Sequence, residues 1–228
     1  MARNVINNKM IKCYLDIGCN YEGEEATQNI YQDIENWNIK DCGIISILKL
    51  EIDPEEKTSK EILFRQVLSP MYQKFKCSDE DYRIYSSCIL KEFKNVDLFV
   101  TFNGRDFDIP IIINNLNLSD KQKEYYVKYF ANRDRDLLDI CILKDMPVKG
   151  GLREITKKLN IEVTSNNDEE NICILNDSDL YINKYNYYLI ARKRRNESDI
   201  KILPLLEQKL GFLYEPRSFI DRYHKKWQ

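Results

Sequence analysis

The stretch from Leu98 to Pro110, LFVTFNGRDFDIP, constrains this 228-residue chain more than any other. Its first half is apolar, β-branched or aromatic, which favours a buried strand over Val96 to Phe102. Asn103-Gly104 then supplies a turn that tolerates positive φ. Phe107 is placed to plug a core while Asp108 points elsewhere, and Pro110 suits the first turn of a helix over Ile109 to Leu118. Two readings of the acids stay open. Asp106 or Asp108 caps that helix, or the strand end presents Asp108 as a working carboxylate.

Around this segment the hydrophobic period changes along the chain. Lys12 to Ile17, KCYLDI, predicts a strand that ends on Asp16, and Cys42 to Ile52 with Ile62 to Val67 predict an antiparallel pair joined by a polar turn over Pro54 to Lys60. Tyr82, Tyr85, Ile89, Leu90 and Phe93 recur at helical spacing, which predicts a helix over Asp79 to Phe93 starting at Ser78 or Asp79. Further helices are predicted from Ser119 to about Phe130 and over Leu152 to Leu159, with an apolar run from Arg135 to Leu143 between them that contains Asp136 and Asp139. Two C-terminal helices are expected, Leu180 to Lys193 and Asn196 to Leu210. Polar stretches predict a loop with a short helix around Thr27 to Glu35 and an irregular connection over Val163 to Asp179. Strands that first neighbour one another and later alternate with helices predict an α/β fold, a mixed central sheet covered by helices. With no internal repeat and no Pro-rich or Gly-rich linker, one domain is expected over residues 1–228, its core spanning about 11–210 and a basic, aromatic tail following over 211–228.

Composition removes several function classes. With 43% hydrophobic and 32% charged residues, and apolar runs such as Ile109 to Ile113 far short of the ~18 residues a bilayer needs, the chain is expected to be soluble, cytoplasmic and without a membrane partner. The seven cysteines are scattered without a CxxC pair and read as free thiols. His224 is the sole histidine, so structural zinc and histidine-based nucleophilic catalysis lack their residues. Residues 192–228 hold 10 Lys+Arg against 5 Asp+Glu, a net +5, while the whole chain carries −2. That basic end is a candidate phosphate-facing surface, or a merely solvated one.

Three aspartates sit where secondary structure can deliver them to one place. By period-two alternation Asp16 shares a strand face with Tyr14, and a carboxylate there needs a salt bridge, local hydrogen bonds or a metal ion. Asp108 follows the central strand. Asp199, in RRNESDIKILPLL, lies at the edge of an apolar helix face made by Ile200, Leu203 and Leu206, and taken alone is a first-turn acid favoured by the helix dipole.

Taken together these segments resemble the ribonuclease H-like DEDD exonucleases, and most closely the YprB-like predicted exonucleases. The family's first strand reads approximately LDIET, its second motif approximately VTYNGxxFDxP, and its third ends in a helix with Asn-x-x-Asp. Here they appear in that order as Leu15-Asp16-Ile17-Gly18-Cys19, Val100 to Pro110, and Asn196-Glu197-Ser198-Asp199. Asp136-Leu137-Leu138-Asp139 and Gly151-Leu152-Arg153-Glu154-Ile155 look like the family's intervening segments. The resemblance implies hydrolysis of phosphodiester bonds with two Mg²⁺ or Mn²⁺ ions roughly 4 Å apart. Hard cations of this kind take carboxylate oxygens. It further implies that Asp16 bridges both ions, Asp199 completes the shell of the first ion and Asp108 holds the second ion, directly or through water.

The chain departs from the family at two positions. Gly18 stands where the family has its second acid, leaving Glu22, Glu24 and Glu25 of the following loop as candidates to replace it. Arg195 stands where related exonucleases place a tyrosine or histidine to orient the attacking water; a guanidinium stays protonated and cannot act as a base, although it can bind phosphate. The run Tyr185 to Arg195, YNYYLIARKRR, interleaves aromatics with cations as a single-strand binding surface does, or forms an amphipathic helix with Tyr187, Leu189 and Ile190 partly buried. Arg217 to Trp227 has the same mixture. The functional expectation is a metal-dependent 3′-to-5′ exonuclease acting on single-stranded DNA or RNA. Its alternative is a ribonuclease H-like domain that binds nucleic acid without cutting it. Expected nucleic-acid contacts are Asn103, Gly104 and Arg105 from the turn and Arg194, Arg195 and Asn196 from the helix.

Overall fold

The computed structural model describes residues 9–19, 42–70, 77–162 and 180–215. Strands β1 (Met10–Cys19), β2 (Cys42–Asp53) and β3 (Thr58–Leu68) form an antiparallel meander. The turn between β2 and β3 is tied by the Asp53 carboxylate, which accepts from the amides of Glu55 and Glu56 at 3.1 and 3.0 Å, and Lys57 takes positive φ. Aspartate is favoured at such a turn because its side chain imitates a backbone acceptor.

Beyond the meander the chain crosses over. Helix α1 (Asp79–Glu92) begins with a capping box in which the Ser78 hydroxyl accepts from the amide of Asp81 while the Asp81 carboxylate accepts from the amide of Ser78. The four buried residues of β4 (Leu98–Thr101) then pair parallel to β1, Cys13 opposite Phe99. After α2 (Asp108–Asn115) and α3 (Asp120–Ala131), β5 (Asp134–Asp136) adds parallel to β4, and α4 (Leu137–Leu143), α5 (Gly151–Lys158) and α6 (Leu180–Leu210) complete the order. The sheet runs β3-β2-β1-β4-β5. It is the mixed, helix-covered α/β sheet expected from the sequence.

Alternation along β1 divides the core. Tyr14 joins Leu48, Leu50 and Val100 beneath Ile200, Leu203, Leu206 and Leu210 of α6, together with Leu137 of α4 and Ile155 of α5. Cys13, Leu15 and Ile17 face the other way, with Ile45, Ile47 and Phe99, against Ile89 and Phe93 of α1, Ile112 of α2 and Phe130 of α3. Asp16 therefore belongs to the face that α6 covers.

One helix replaces the two expected at the C-terminus, because Lys193 to Ser198 contains no glycine or proline and the backbone continues through it. Pro204 sits inside that helix, where it removes one backbone bond. Leu203 and Leu206 on either side are 2% and 0% exposed, and their burial offsets the lost bond.

A buried ionic cluster fixes α6 on the sheet. Glu207 receives the Lys12 ammonium at 2.7 Å, the Tyr14 hydroxyl at 2.5 Å and the Arg135 guanidinium. Lys12 also donates to the carbonyl of Leu213 at 2.6 Å, and Arg135 to that of Phe212 at 2.7 Å, so the same cations anchor the chain just beyond α6. Burial is the main reason that the Lys12 ammonium is pushed down to about 8.

Among the described residues no helix is long and apolar enough to cross a membrane. The stretch around Thr27 to Glu35, the three loop glutamates Glu22, Glu24 and Glu25, the connection over Val163 to Asp179, the side chains of Tyr185, Tyr187 and Tyr188, and Arg217 to Trp227 lie outside the described residues or side chains.

Candidate functional site

The segment after β4 is organised by an acid from the next strand. Asp136, at the end of β5, accepts backbone amides from Asn103 at 2.7 Å, Arg105 at 3.2 Å and Leu138 at 2.9 Å, binding the turn and the start of α4 to one carboxylate. Asn103 takes φ 63°. Gly104 is required for a different reason, since a Cβ there would stand 2.2 Å from the Cβ of Thr101. The guanidinium of Arg105 reaches Asp139 at 2.8 Å and Asp134 at 3.3 Å.

With the turn held in this way, Phe107 packs partly buried against the α1–α3 core and the amide of Ile109 donates to the Gly104 carbonyl at 2.8 Å. Asp108 becomes the first residue of α2 and is 5% exposed. Phe107 occupies the cap position and makes no side-chain cap bond, so neither Asp106 nor Asp108 caps the helix.

Asp16 lies within β1, opposite Ser46, short of the strand end at Cys19. Burial, followed by the nearby charges of Asp108 and Asp199, raises its carboxyl well above the usual carboxylate range; Arg195 opposes them. The three aspartates expected to act together therefore share one electrostatic neighbourhood. Asp199 stands in the interior of α6, well away from any helix start. Burial raises its carboxyl too, against Arg195, whose Nε is 3.7 Å from Asp199 Oδ2, and against Arg153 of α5.

The sequence model of the RNase_H superfamily matches residues 59–200, more than half of the chain and all of the elements from β3 to the middle of α6. The chain belongs to the RNase_H superfamily. No curated protein and no solved structure gives a significant match. The match takes in Asp108 and Asp199 but begins after β1, so Asp16 joins the site through the tertiary structure.

In this RNase_H superfamily member the ground beside Asp16 is filled from α6. Asn196 is buried, and its Nδ2 donates to Asp16 Oδ2 at 2.8 Å. A Cβ at Gly18 would lie 2.5 Å from Asn196 Oδ1, so the amide uses the space that a side chain at position 18 would need. Among the described residues, no three His, Cys, Asp or Glu side chains are arranged to hold a metal ion. An amide NH₂ is directed at Asp16 and a guanidinium at Asp199, while the amide oxygen of Asn196 faces Gly18. Among the described residues, the set does not match a four-acid, two-ion centre.

Of the expected nucleic-acid contacts, Arg194 and Arg195 are exposed, Asn196 is turned inward onto Asp16, Gly104 is buried, and Asn103 and Arg105 are tied to the acids of β5 and α4. Sequence reasoning did not assign roles to Asp134, Asp136, Arg153 or the inward use of Asn196. For the two acids of β5 the local signal is the triplet Asp134-Arg135-Asp136, two acids alternating around a basic residue just before an apolar run. Asp134 is 5% exposed, and burial, with the charge of Asp136 next, pushes its carboxyl up to about 7.

Proposed function

We propose that this chain is a ribonuclease H-like domain that binds single-stranded nucleic acid without hydrolysing it. The observation that carries this reading is the Asn196 side chain, which hydrogen-bonds Asp16 and uses the space beside Gly18. Where a two-ion nuclease would place a fourth carboxylate, this site has a neutral amide, its oxygen beside Gly18 and its NH₂ on Asp16, and Arg195 brings a positive charge that needs no bound cation to attract a phosphate. Exposed Arg195, whose Nε lies 3.7 Å from Asp199 Oδ2, supplies a phosphate contact at the rim of the aspartate cluster in this reading, and exposed Arg194 lies on the outer side of the same helix.

A second reading, the Mg²⁺- or Mn²⁺-dependent exonuclease, is supported by the mutual influence of Asp16, Asp108 and Asp199. One experiment separates the two. Labelled single strands of DNA and RNA are titrated with the protein in EDTA and in Mn²⁺, with anisotropy reporting binding and gels reporting cleavage. The binding reading expects affinity that persists in EDTA, weakens with salt, falls with Arg195→Glu, and is accompanied by no shortened products. A product ladder in Mn²⁺ that disappears with Asp16→Asn would establish the exonuclease instead.

A further inference from the structure

We propose that the outer face of α3 is a second contact surface for single-stranded nucleic acid, a stacking platform on the opposite side of the sheet from α6. Tyr125 and Tyr129 are one helical turn apart, and their rings lie 5.9 Å apart and within 23° of parallel. Tyr126 closes the cluster edge-on, its ring 5.2 Å from that of Tyr125 and 6.1 Å from that of Tyr129. The Arg133 guanidinium lies over Tyr129, 4.2 Å from the ring centre.

The three rings differ in what holds them. Tyr129 donates its hydroxyl to the Phe93 carbonyl at 2.8 Å, and Tyr126 and Tyr129 both pack against the α1–α3 core. Tyr125 belongs to neither core cluster and is 59% exposed. Packing on the sheet therefore accounts for two of the tyrosines and leaves the third as a ring held in place by its neighbours with much of its surface in water. A pre-ordered aromatic ring of this kind costs little further entropy when a flat partner covers it.

The charges select the partner. Exposed Lys121 precedes Tyr125 by one turn, and Arg133 ends the row beyond Tyr129, so cations flank the stacked rings at both ends. Lys128 is paired with Glu124 at 2.7 Å on the same helix. Rings bounded by cations suit a chain of bases joined by phosphates, in which a base covers Tyr125 while phosphates meet Lys121 and Arg133. An apolar protein surface would match the rings and leave the cations unanswered.

The surface is independent of the aspartate cluster, so its failure and that of the cleft reading are separable. The test uses the full chain and a single strand of about 15 nucleotides containing 2-aminopurine, whose fluorescence is quenched by stacking. Tyr125→Ala is expected to weaken binding roughly fivefold or more and reduce the quenching, Tyr125→Phe to keep both, and Tyr125→Leu to behave as Ala. Unchanged affinity and quenching in Tyr125→Ala would overturn the proposal. So would a Tyr125→Leu variant that binds as well as the wild type, which would favour apolar docking of a protein, and so would a wild type that binds no strand. A strong loss with Arg195→Glu and none with Tyr125→Ala would leave the cleft reading standing alone.

Discussion

Asn196 touches both ends of the Asp16-Ile17-Gly18 step: its Nδ2 donates to Asp16 at 2.8 Å, and its Oδ1 lies 2.5 Å from where a Cβ on Gly18 would stand. One short side chain from α6 thus satisfies the carboxylate of β1 and fills the space that a side chain at position 18 would need. The register that brings it there is set farther along the same pair of elements, at the contact of Lys12 and Tyr14 with Glu207.

An acid placed at position 18 is therefore expected to be poorly accommodated on its own. Gly18→Glu crowds Asn196 and adds charge beside a carboxyl already held well above its usual range, so urea denaturation should show a loss of about 1–3 kcal/mol. Combined with Asn196→Ala the loss should be smaller than the sum of the two single losses, because the second change removes the collision. Strict additivity would show that the two positions do not compete for space.

Glu207→Gln should be among the most destabilising single changes. It leaves Lys12 and Arg135 buried without their shared anion, at a cost of about 3–5 kcal/mol. Lys12→Met should cost less, since Arg135 still pairs with Glu207 and burial already disfavours the Lys12 charge. Unfolding curves that rank the two variants the other way round would refute this account of the cluster.

The turn after β4 should be intolerant at Gly104. Gly104→Ala places a Cβ 2.2 Å from that of Thr101, in a buried strand that cannot easily yield, and a loss of about 3 kcal/mol in chemical denaturation is expected. Asp136→Asn keeps the shape but weakens three backbone bonds to one carboxylate, so it should loosen the same turn, visible as faster amide exchange at Asn103 and Arg105.

Stability should fall as the pH rises from about 4 to about 7. Asp134 has its folded carboxyl at about 7 against an ordinary 3.8, so within that window the folded state holds a proton that the unfolded chain has released. Raising the pH then favours unfolding, and above about 7 this contribution is fully lost. Asp134→Asn should flatten the dependence of the melting temperature on pH in this range. A wild-type slope unchanged by the substitution would assign the effect to the other raised acids, Asp16, Asp136 and Asp199.

Much of the fold was legible because local rules and the global fold agree. Alternation in KCYLDI placed Asp16 on the face of Tyr14, and that is the face α6 covers. Ser78 and Ser119 start helices with capping boxes, a bond pattern set within four residues. Asn103-Gly104 marked a turn whose conformation is indeed left-handed at Asn103. The single α6 was less legible, since polar residues at 194–199 are as compatible with a break as with a solvated helical turn until the sheet supplies something to pack against.

By itself, then, the sequence determined the order of strands and helices from β1 to α3, the three aspartates and the absence of a side chain at Gly18, because periodicity, turn chemistry and residue type act over a few neighbours. Only the tertiary structure decided what stands beside that glycine. Asp16 and Asn196 are 180 residues apart, and their meeting depends on a long helix seated on β1 by a buried ionic cluster. Such a contact is set by the packing of whole elements, and no local pattern encodes it.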